Sequence, residues 1–395
     1  MNKSSTPTPA YDIDREVMRR YGAAAQRPEA ALCCPATAYD RTLLNAIPAE
    51  VLAVDYGCGD PSAHARSGEV VLDLGSGSGK ACFMISQRVG PEGQVIGVDA
   101  NDQMLALARK HAPEVALRIG YGNVRFAKGN IQDLGLDLAA LHQRLSRQPV
   151  ASVDGFVELE QECARMRRES PLVPEGSVDL VVSNCVLNLV RPELKTRLFA
   201  EIQRVLKRGG RAVISDVVCD EDPTPAMMGD PQLWSGCISG ASREDRFLEA
   251  FEQAGFFGVE IVARSAQPWQ VIDGIEFRSI TVRAFKGKEG PCLERNQAVV
   301  YRGPWRSVTD DDGHMFPRGR RVAVCDKTYQ IVTDPQGPYS GALIPHPPDI
   351  EVPLDQAGEF ACRVTTLRDP RVTKRGAVSG EAAIGSESCA GPECC

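Results

Sequence analysis

The sequence predicts a doubly wound, seven-stranded α/β domain followed by a small β-rich C-terminal domain. Over residues 40–286, short apolar runs alternate with amphipathic helical segments, and one of these runs breaks into a glycine-rich turn. Strands that alternate with helices favour a largely parallel sheet covered by helices on both faces. Over residues 297–365, the runs AVVYRG, RRVAVC and TYQIV are separated by Gly and Pro, which indicates the second, β-rich domain.

The glycine-rich turn follows the first predicted strand, residues 70–74, and precedes a helical segment at residues 80–88. A second apolar strand at residues 94–98 ends at Asp99. A strand, a glycine turn, a helix, a strand and an acid make up a nucleotide-binding βαβ unit. Glycines let the backbone approach a ligand closely, and the acid can accept hydrogen bonds from both ribose hydroxyls.

The later elements continue the alternation of strands and helices. Residues 134–168 read as a charged helical insertion outside the core, and residues 207–210 read as the glycine-rich end of a helix. A leading helix is predicted over residues 12–24. The later helices span residues 102–111, 193–206 and 243–254, and the later strands span residues 123–128, 177–183, 211–216, 259–263 and 277–285.

Composition excludes several classes of protein. The net charge of -7 and the isoelectric point near 5.5 argue against nucleic acid as a partner. No apolar run approaches the ~20 residues that span a bilayer, and the N-terminal residues lack the apolar core of a secretory signal. We therefore expect a cytoplasmic monomer with no membrane partner. The 14 cysteines are unexpected there and favour metal binding, redox work or catalysis over a disulfide framework, with inert buried thiols as the alternative.

Changes in composition predict four segments. Residues 1–40 form an N-terminal segment with the adjacent Cys33 and Cys34, residues 41–286 the α/β domain, residues 287–370 the C-terminal domain, and residues 371–395 a flexible tail. The tail ends in Cys394 and Cys395. The run DDDG at residues 310–313 lacks the spacing of an EF-hand, so we expect a hairpin turn there.

The glycine motif favours one nucleotide cofactor. Asp73 stands two positions before alternating glycines at 75, 77 and 79, whereas a dinucleotide site reads GxGxxG. Asp73 can face the cationic amino acid end of S-adenosylmethionine, and we weigh a nicotinamide oxidoreductase as the alternative. Met104 and Ala100 can lie against adenine, although Met104 is equally a core residue. The expected cofactor-binding residues are Asp73, Gly75, Ser76, Gly77, Gly79, Asp99, Ala100, Met104, Asn130, Ile131, Gln132 and Asn184.

With this cofactor, the seven-stranded domain is of the Rossmann-like class I methyltransferase type. The methyl acceptor must then lie at the carboxyl ends of the fourth and fifth strands, which lead towards Cys185 and Cys237. Cys58 and the Cys33/Cys34 pair precede the cofactor strand and can fold over the same mouth. Thiolates prefer soft centres, which favours a thiophilic acceptor, although Asp216 could serve as a base for another one. A structural zinc site is a rival, but the cysteines lack paired CxxC spacing.

The segments DLGSGSGKACF, SNCVLNLV, YGCGDP and WSGCISGA together resemble the arsenite S-adenosylmethionine methyltransferases, especially the longer bacterial type. This resemblance implies stepwise methylation of arsenite and methylarsenite for detoxification. It implies that Cys185 and Cys237 hold As(III), that Cys58 joins them in the first round, and that Tyr56 and Gly57 touch the cofactor. It also implies a disulfide between Cys58 and either Cys33 or Cys34, which thioredoxin or glutathione reduces.

Two other functions stay open at this point. One is a methyltransferase of a small organic acceptor in which the cysteines are structural, and the other is a non-enzymatic metalloid-binding protein. Cys82 lies within the first crossover helix and is expected to be a core residue. The Cys394–Cys395 pair either captures As(III) or is simply solvated.

Overall fold

The computed structural model describes residues 12–29, 32, 39–54, 56–362, 364–376 and 387–388. Two compact units make up the chain, one formed by residues up to 255 together with 259–286, and the other by residues 256–258 together with those from 287 on. The predicted sites at Cys33, Cys34, Cys394 and Cys395 lie outside the described residues.

The first unit alternates strands and helices. Its strands are β1 (Val70–Leu74), β2 (Gln94–Asp99), β3 (Val124–Lys128), β4 (Val178–Asn184), β5 (Leu206–Cys219), β6 (Ser242–Arg243), β7 (Phe257–Arg264), β8 (Gln270–Ile272) and β9 (Ile275–Phe285). Its helices are α1 (Ile13–Ala24), α2 (Arg41–Leu44), α3 (Ala49–Leu52), α4 (Lys80–Val89), α5 (Asp102–Ile119), α6 (Leu138–Arg147), α7 (Val153–Glu169), α8 (Pro192–Val205), α9 (Pro225–Met228), α10 (Pro231–Ser235) and α11 (Glu244–Gln253), with 3₁₀ turns at Pro61–His64 and Leu187–Leu189.

One sheet organises this unit, with strand order β3-β2-β1-β4-β5-β9-β7. Strands β1 to β5 are parallel, and β9 runs antiparallel to β5. The short strands β6 and β8 pair with β5 and β9. The doubly wound, seven-stranded arrangement predicted from the sequence is confirmed. Because parallel strands share their carboxyl edge, the loops after β1, β2, β4 and β5 meet there.

Two predicted helix ends are wrong. Helix α5 continues beyond residue 111 to Ile119, through Pro113, because Val115 stays on the buried face and packs with Phe83 and Met84. Helix α8 ends at Val205, and residues 207–210, predicted as its C-terminal cap, lie in β5. There the N–H of Gly209 donates to the carbonyl of Lys286, 2.7 Å away, so a distant segment extends the strand.

The second unit is built from short strands around an apolar core that includes Val299, Phe316 and Val332. The central sheet has the antiparallel order β14-β11-β15. The elements are β10 (Leu293–Glu294), β11 (Ala298–Tyr301), β12 (Ser307–Thr309), β13 (Met315–Pro317), β14 (Arg321–Ala323), α12 (Asp326–Thr333), β15 (Leu343–His346), a 3₁₀ turn at Leu354–Gln356, β16 (Gly358–Glu359), β17 (Val364–Thr365), α13 (Pro370–Arg375) and β18 (Glu387–Ser388).

The β-rich character predicted for this region is confirmed, with one exception. The run TYQIV lies in helix α12 rather than in a strand. Residues 310–313 form the hairpin turn between β12 and β13, as predicted: the carboxylate of Asp310 accepts the N–H groups of Asp312 and His314 at 3.1 and 2.8 Å. Across both units, the described ranges contain no helix long and apolar enough to cross a membrane.

Candidate functional site

The turn between β1 and α4 requires glycine for two different reasons. Gly75, Gly77 and Gly79 all have positive φ, at 71°, 52° and 88°. A Cβ at Gly75 would lie 2.5 Å from Val186, and one at Gly79 would lie 2.7 Å from the ring of Phe126. No atom of the described residues lies within 4 Å of the Cβ position at Gly77, which lines the cavity, so its backbone is open to a ligand there. The turn therefore packs tightly at its two ends and is accessible in the middle.

A cavity of about 430 Å³ opens over this turn at the carboxyl edge of the sheet. The structure brings together around it all but one of the residues predicted to bind the cofactor. Those that line it are Tyr56, Gly57, Asp73, Gly75, Ser76, Gly77, Asp99, Ala100, Met104, Asn130, Ile131, Gln132 and Asn184. The exception is Gly79, which begins helix α4 and packs under Phe126.

The carboxylate of Asp99 is held by the turn it faces. It accepts the N–H of Gly77 at 2.8 Å and the N–H of Asn101 at 2.8 Å. Burial raises the pKa of the Asp99 carboxyl, and these backbone N–H groups offset part of that rise. A carboxylate fixed in this way at the end of β2 is suited to accept hydrogen bonds from vicinal hydroxyls.

Asp73 is a buried carboxylate in the wall of the cavity, with 2% of its surface exposed. Burial raises its pKa to about 7; the hydrogen bond from the Cys82 thiol, 3.2 Å away, lowers it, and the nearby Asp99 charge raises it. Cys82 is fully buried, as predicted for a core residue, and also donates this bond. A cation in the cavity would stabilise the ionised form of Asp73.

The cavity offers one further polar group to a ligand, and the loop at residues 130–132 is anchored by the residue that follows it. The hydroxyl of Ser76 is buried and has no hydrogen-bond partner among the described residues. Asp133, just after the Asn130–Gln132 loop, is bound by Arg167 from α7 at 2.8 Å and by Arg197 from α8 at 2.8 Å. The helical insertion therefore braces one side of the cavity, a role that its charged sequence did not indicate.

Helix α1, which the sequence predicts as a helix, also lines the cavity, a position that the sequence did not indicate. Asp14, Val17, Met18 and Tyr21 line the cavity. Arg191, which also lines it, pairs with Asp14 at 2.9 Å and so joins α1 to the loop after β4. The local sequence shows only an amphipathic helix and does not indicate which surface that helix covers.

Asn184 joins the end of β4 to the loop that carries Cys58. Its side-chain oxygen accepts the N–H groups of Cys58 and Gly59 at 2.8 and 3.0 Å, and its amide donates to the Gly59 carbonyl at 2.8 Å. A Cβ at Gly57 would collide with the Asn184 side chain. The glycine at position 57 is therefore needed for close packing of this loop on β4.

Three of the predicted cysteines converge beside the cavity. Cys58, Cys185 and Cys237 belong to one buried cluster, and Cys185 also lines the cavity. Cys185 and Cys237 adopt positive φ angles of 59° and 63°, which residues other than glycine rarely adopt. Such backbone conformations persist when the surrounding structure enforces them and are concentrated at functional sites. The Cys237 thiol donates to the carbonyl of Cys185, 3.3 Å away, and lies 3.9 Å from the Tyr21 hydroxyl.

The disulfide in the structure differs from the one implied by resemblance. Cys58 is bonded to Cys185, with Cα atoms 6.0 Å apart, instead of to Cys33 or Cys34. The physical reason is the hydrogen bond from the Cys58 N–H to the side chain of Asn184, which holds the Cys58 backbone beside Cys185, the next residue in the chain. The sulfur of Cys237, in the same cluster, forms no disulfide with another cysteine of the described residues.

Asp216 is not placed to act as a base. It is fully buried and accepts the N–H groups of Leu187, Asn188 and Val217 at 2.8, 3.3 and 2.8 Å. Burial raises its pKa to about 6, against the effect of these hydrogen bonds and of the Lys195 charge. Asp216 therefore fixes the loop that follows Cys185.

Cys219, at the end of β5, is a further buried thiol of the cluster that the sequence did not single out. Burial raises its pKa to about 12.

Comparisons with known proteins identify the family of the chain. Residues 65–255 match the family model described as "Methyltransferase domain", and residues 288–378 match "Domain of unknown function (DUF8838)". The arsenite methyltransferase of Aquipseudomonas alcaligenes is 32% identical over 343 residues, which cover 82% of this chain and 88% of that protein. The arsenite methyltransferase of Homo sapiens is 28% identical over 341 residues, covering 81% of each chain.

A solved structure is also similar over most of the chain. The arsenic(III) S-adenosylmethionine methyltransferase CrArsM of Chlamydomonas reinhardtii is 27% identical with a TM-score of 0.52, and the match covers 83% of this chain and all of that one. The extent of these similarities shows that the chain belongs to the arsenite methyltransferase family.

Proposed function

We propose that this protein methylates trivalent arsenic stepwise, with S-adenosylmethionine as the methyl donor. The observation that carries this proposal is the position of Cys185, which lines the glycine-floored cavity and also belongs to the buried cluster with Cys58 and Cys237. One residue thus adjoins both the predicted cofactor site and the soft ligands for arsenic.

The residues around the cavity fit the cofactor. The open backbone at Gly77 would admit its methionine part, with Asp73 as the counter-charge for the cationic end. The Ser76 hydroxyl, which has no partner among the described residues, would give a further polar contact. Asp99 would accept hydrogen bonds from the ribose hydroxyls. Ala100, Met104 and Ile131 would contact adenine, and Gln132 would hydrogen-bond its edge. When bound, S-adenosylmethionine supplies an electrophilic methyl group on a sulfonium centre.

Arsenic would bind to the reduced cysteines. Reduction of the Cys58–Cys185 disulfide by two thiols of a reductant gives two protein thiols and one disulfide of that reductant. Arsenite, As(OH)₃, then exchanges its three hydroxyls for the sulfurs of Cys58, Cys185 and Cys237, and three waters leave with the thiol protons. The bound arsenic keeps its lone pair, so it can act as a nucleophile without a general base. This agrees with Asp216 being occupied by backbone N–H groups.

Electron balance gives the disulfide a role. Transfer of the methyl group would break its bond to the sulfonium sulfur, release S-adenosylhomocysteine and form an As–C bond with the arsenic lone pair, which raises arsenic formally from As(III) to As(V). Two thiolates that form a disulfide return two electrons and restore As(III). In the first round, Cys58 and Cys185 are placed to do this: their two bonds to arsenic would break as the disulfide forms, and two waters would release the product as methylarsenite, CH₃As(OH)₂, with one proton and the free thiol of Cys237. A thiol reductant such as thioredoxin or glutathione would reopen the disulfide and, after methylation of methylarsenite, which Cys58 does not hold, would itself supply the two electrons. We therefore propose the reducing cytoplasm as the working compartment. The participation of Cys33 or Cys34 stays a prediction.

The proposal is tested by product analysis. Purified full-length protein is incubated with arsenite, a thiol reductant and S-adenosylmethionine, and methylated arsenic is separated and measured by mass spectrometry. We expect methylated product from the native protein, none from Cys185→Ser or Cys237→Ser, and native amounts from Cys163→Ser. Cys163 is a matched control because it is a free cysteine on helix α7. Absence of product from the native protein, or unchanged product from both site variants, contradicts the proposal.

A further inference from the structure

The second compact unit contains a cluster of three cysteines. The Sγ atoms of Cys292, Cys325 and Cys362 all lie within 4.8 Å of one another. Cys325 and Cys362 are buried, with 1% and 5% of their surface exposed, and Cys292 is half-buried. None of the three forms a disulfide with another cysteine of the described residues. These cysteines are far apart in the sequence and are brought together by the fold.

A two-stranded ribbon holds two of the three cysteines. Strands β10 and β16 pair antiparallel; Cys292 immediately precedes the first, and Cys362 follows the second by three positions. The N–H of Phe360 donates to the carbonyl of Cys292 at 2.9 Å, and the N–H of Cys362 donates to the carbonyl of Phe360 at 3.0 Å. Cys292 and Cys362 therefore lie at the same end of the ribbon.

Helix α12 supplies the third cysteine at its first turn. Cys325 caps the helix, and its sulfur accepts the N–H of Thr328 at 3.4 Å and lies 3.2 Å from the Thr328 hydroxyl. The ammonium of Lys327 donates to the carbonyl of Gly290 at 3.0 Å and so ties this turn to the segment that leads to Cys292. Backbone N–H groups at a helix N-terminus stabilise a thiolate, which is the form of cysteine that binds soft cations.

We propose that Cys292, Cys325 and Cys362 form a second binding site for trivalent arsenic in the C-terminal unit. Three thiols exchange with the three hydroxyls of As(OH)₃; three As–S bonds replace three As–O bonds, three waters leave with the thiol protons, and no electrons are transferred. The identity of the ligand as arsenic rests on the proposed function, whereas the presence of a three-sulfur site rests on the geometry of this unit alone.

The number of ligands favours arsenic over zinc. Trivalent arsenic makes three bonds and keeps a lone pair in the remaining position, so three thiolates complete its coordination. A structural zinc site takes four protein ligands. In the part of the chain that the structure describes, the cluster has three members, and no further His, Cys, Asp or Glu belongs to it.

The number of arsenic atoms bound per chain tests the proposal. Reduced full-length protein is dialysed against arsenite without S-adenosylmethionine, and bound arsenic is measured by elemental mass spectrometry. We expect two per native chain and per Cys163→Ser chain, and one per Cys325→Ser chain. Cys292→Ser, at the half-buried position, should also bind one and guards against a folding defect of Cys325→Ser. If neither variant loses an equivalent relative to the native protein, the proposal is overturned.

Two further measurements separate this proposal from the others. Cys237→Ser should abolish methylation and still retain the arsenic equivalent that Cys325→Ser removes, so that failure of the catalytic site and failure of this site give different results. Zinc is measured in the same samples. One zinc per chain that resists displacement by arsenite and is lost in Cys325→Ser would overturn the assignment to arsenic.

Discussion

The carboxylate of Asp216 accepts the backbone N–H of Leu187 at 2.8 Å, two residues after Cys185. The next N–H, from Asn188, points to the same oxygen at 3.3 Å, and the amide of Asn188 donates to the carbonyl of Cys237, also at 3.3 Å. One buried carboxylate near the C-terminal end of β5 is thus connected to the loop that follows Cys185 and, through Asn188, to the backbone of Cys237, and both of these cysteines have positive φ angles.

Replacement of Asp216 should therefore impair arsenic binding through the backbone. In Asp216→Asn, one of the acceptor oxygens becomes an N–H donor that faces backbone donors, which costs roughly 1–3 kcal/mol of folding free energy. We expect weaker arsenite binding with little change in the Kd for S-adenosylmethionine, measured by dialysis and calorimetry. The control is Asp220→Asn, at an exposed position just beyond the same strand. Equal weakening of both ligands would show a general loss of structure instead.

The glycine turn allows steric effects to be separated from backbone strain. Gly75 and Gly68 have similar φ angles of 71° and 80°. A Cβ at Gly75 would meet the side chain of Val186, whereas no atom of the described residues lies within 4 Å of a Cβ at Gly68. We expect Gly68→Ala to cost about 1–2 kcal/mol of unfolding free energy and to bind the cofactor normally. Gly75→Ala should cost more and lose cofactor affinity. Urea unfolding and calorimetric titration measure the two effects, and similar results for both variants would refute the steric explanation.

Cofactor affinity should depend on pH through Asp73. Its pKa in the free protein is raised to about 7 because the carboxyl is buried, and a bound cation would lower it. Affinity is therefore greatest well above pH 7 and is lost as the pH falls through 7, by up to about tenfold per pH unit, since binding must release the proton. Asp73→Asn should bind weakly with a flat profile over the same range. Calorimetric titration in buffers from about pH 5.5 to 7.5 measures this, and a native profile as flat as that of the variant would contradict it.

Cys58 should matter more for arsenite than for methylarsenite. Methylarsenite has two exchangeable oxygens, so Cys185 and Cys237 suffice to hold it, whereas arsenite has three. We expect Cys58→Ser to lower kcat/KM for arsenite by about tenfold or more, the scale on which metal sites respond to altered ligand environments. The change for methylarsenite should be much smaller. Equal losses on both substrates would contradict this division of roles.

Local patterns were sufficient to predict the cofactor turn. Strand β1 has the predicted bounds, and helix α4 exceeds the prediction by one residue, because apolar runs and glycines determine these elements over a few neighbouring residues. The helix predicted over residues 193–206 is present, but the cap predicted at residues 207–210 is wrong because those residues pair with Lys286, far along the chain. The strand predicted for the run TYQIV is wrong because the cap at Cys325 begins a helix there, and this outweighs the β-branched residues of the run.

The cysteine pairing shows the same limit at the site. Cys58, Cys185 and Cys237 could be singled out from the loops in which they occur. Which two of them form the disulfide depends on the hydrogen bond between the Asn184 side chain and the Cys58 backbone, which joins residues 126 positions apart. The cover formed by helix α1 is likewise a tertiary feature, since the contact between Tyr21 and Tyr56, with ring centroids 6.1 Å apart, leaves no local signal.

The central claim is that arsenic binds to Cys58, Cys185 and Cys237 beside the cofactor cavity. The most direct test is arsenic X-ray absorption of reduced Cys325→Ser protein, which removes the C-terminal cluster, with one equivalent of arsenite. We predict three sulfur neighbours around arsenic, and two sulfurs with one oxygen when Cys58→Ser is added. An oxygen-only coordination shell, or a sulfur count that does not change when each of the three cysteines is replaced by serine in turn, would contradict the claim.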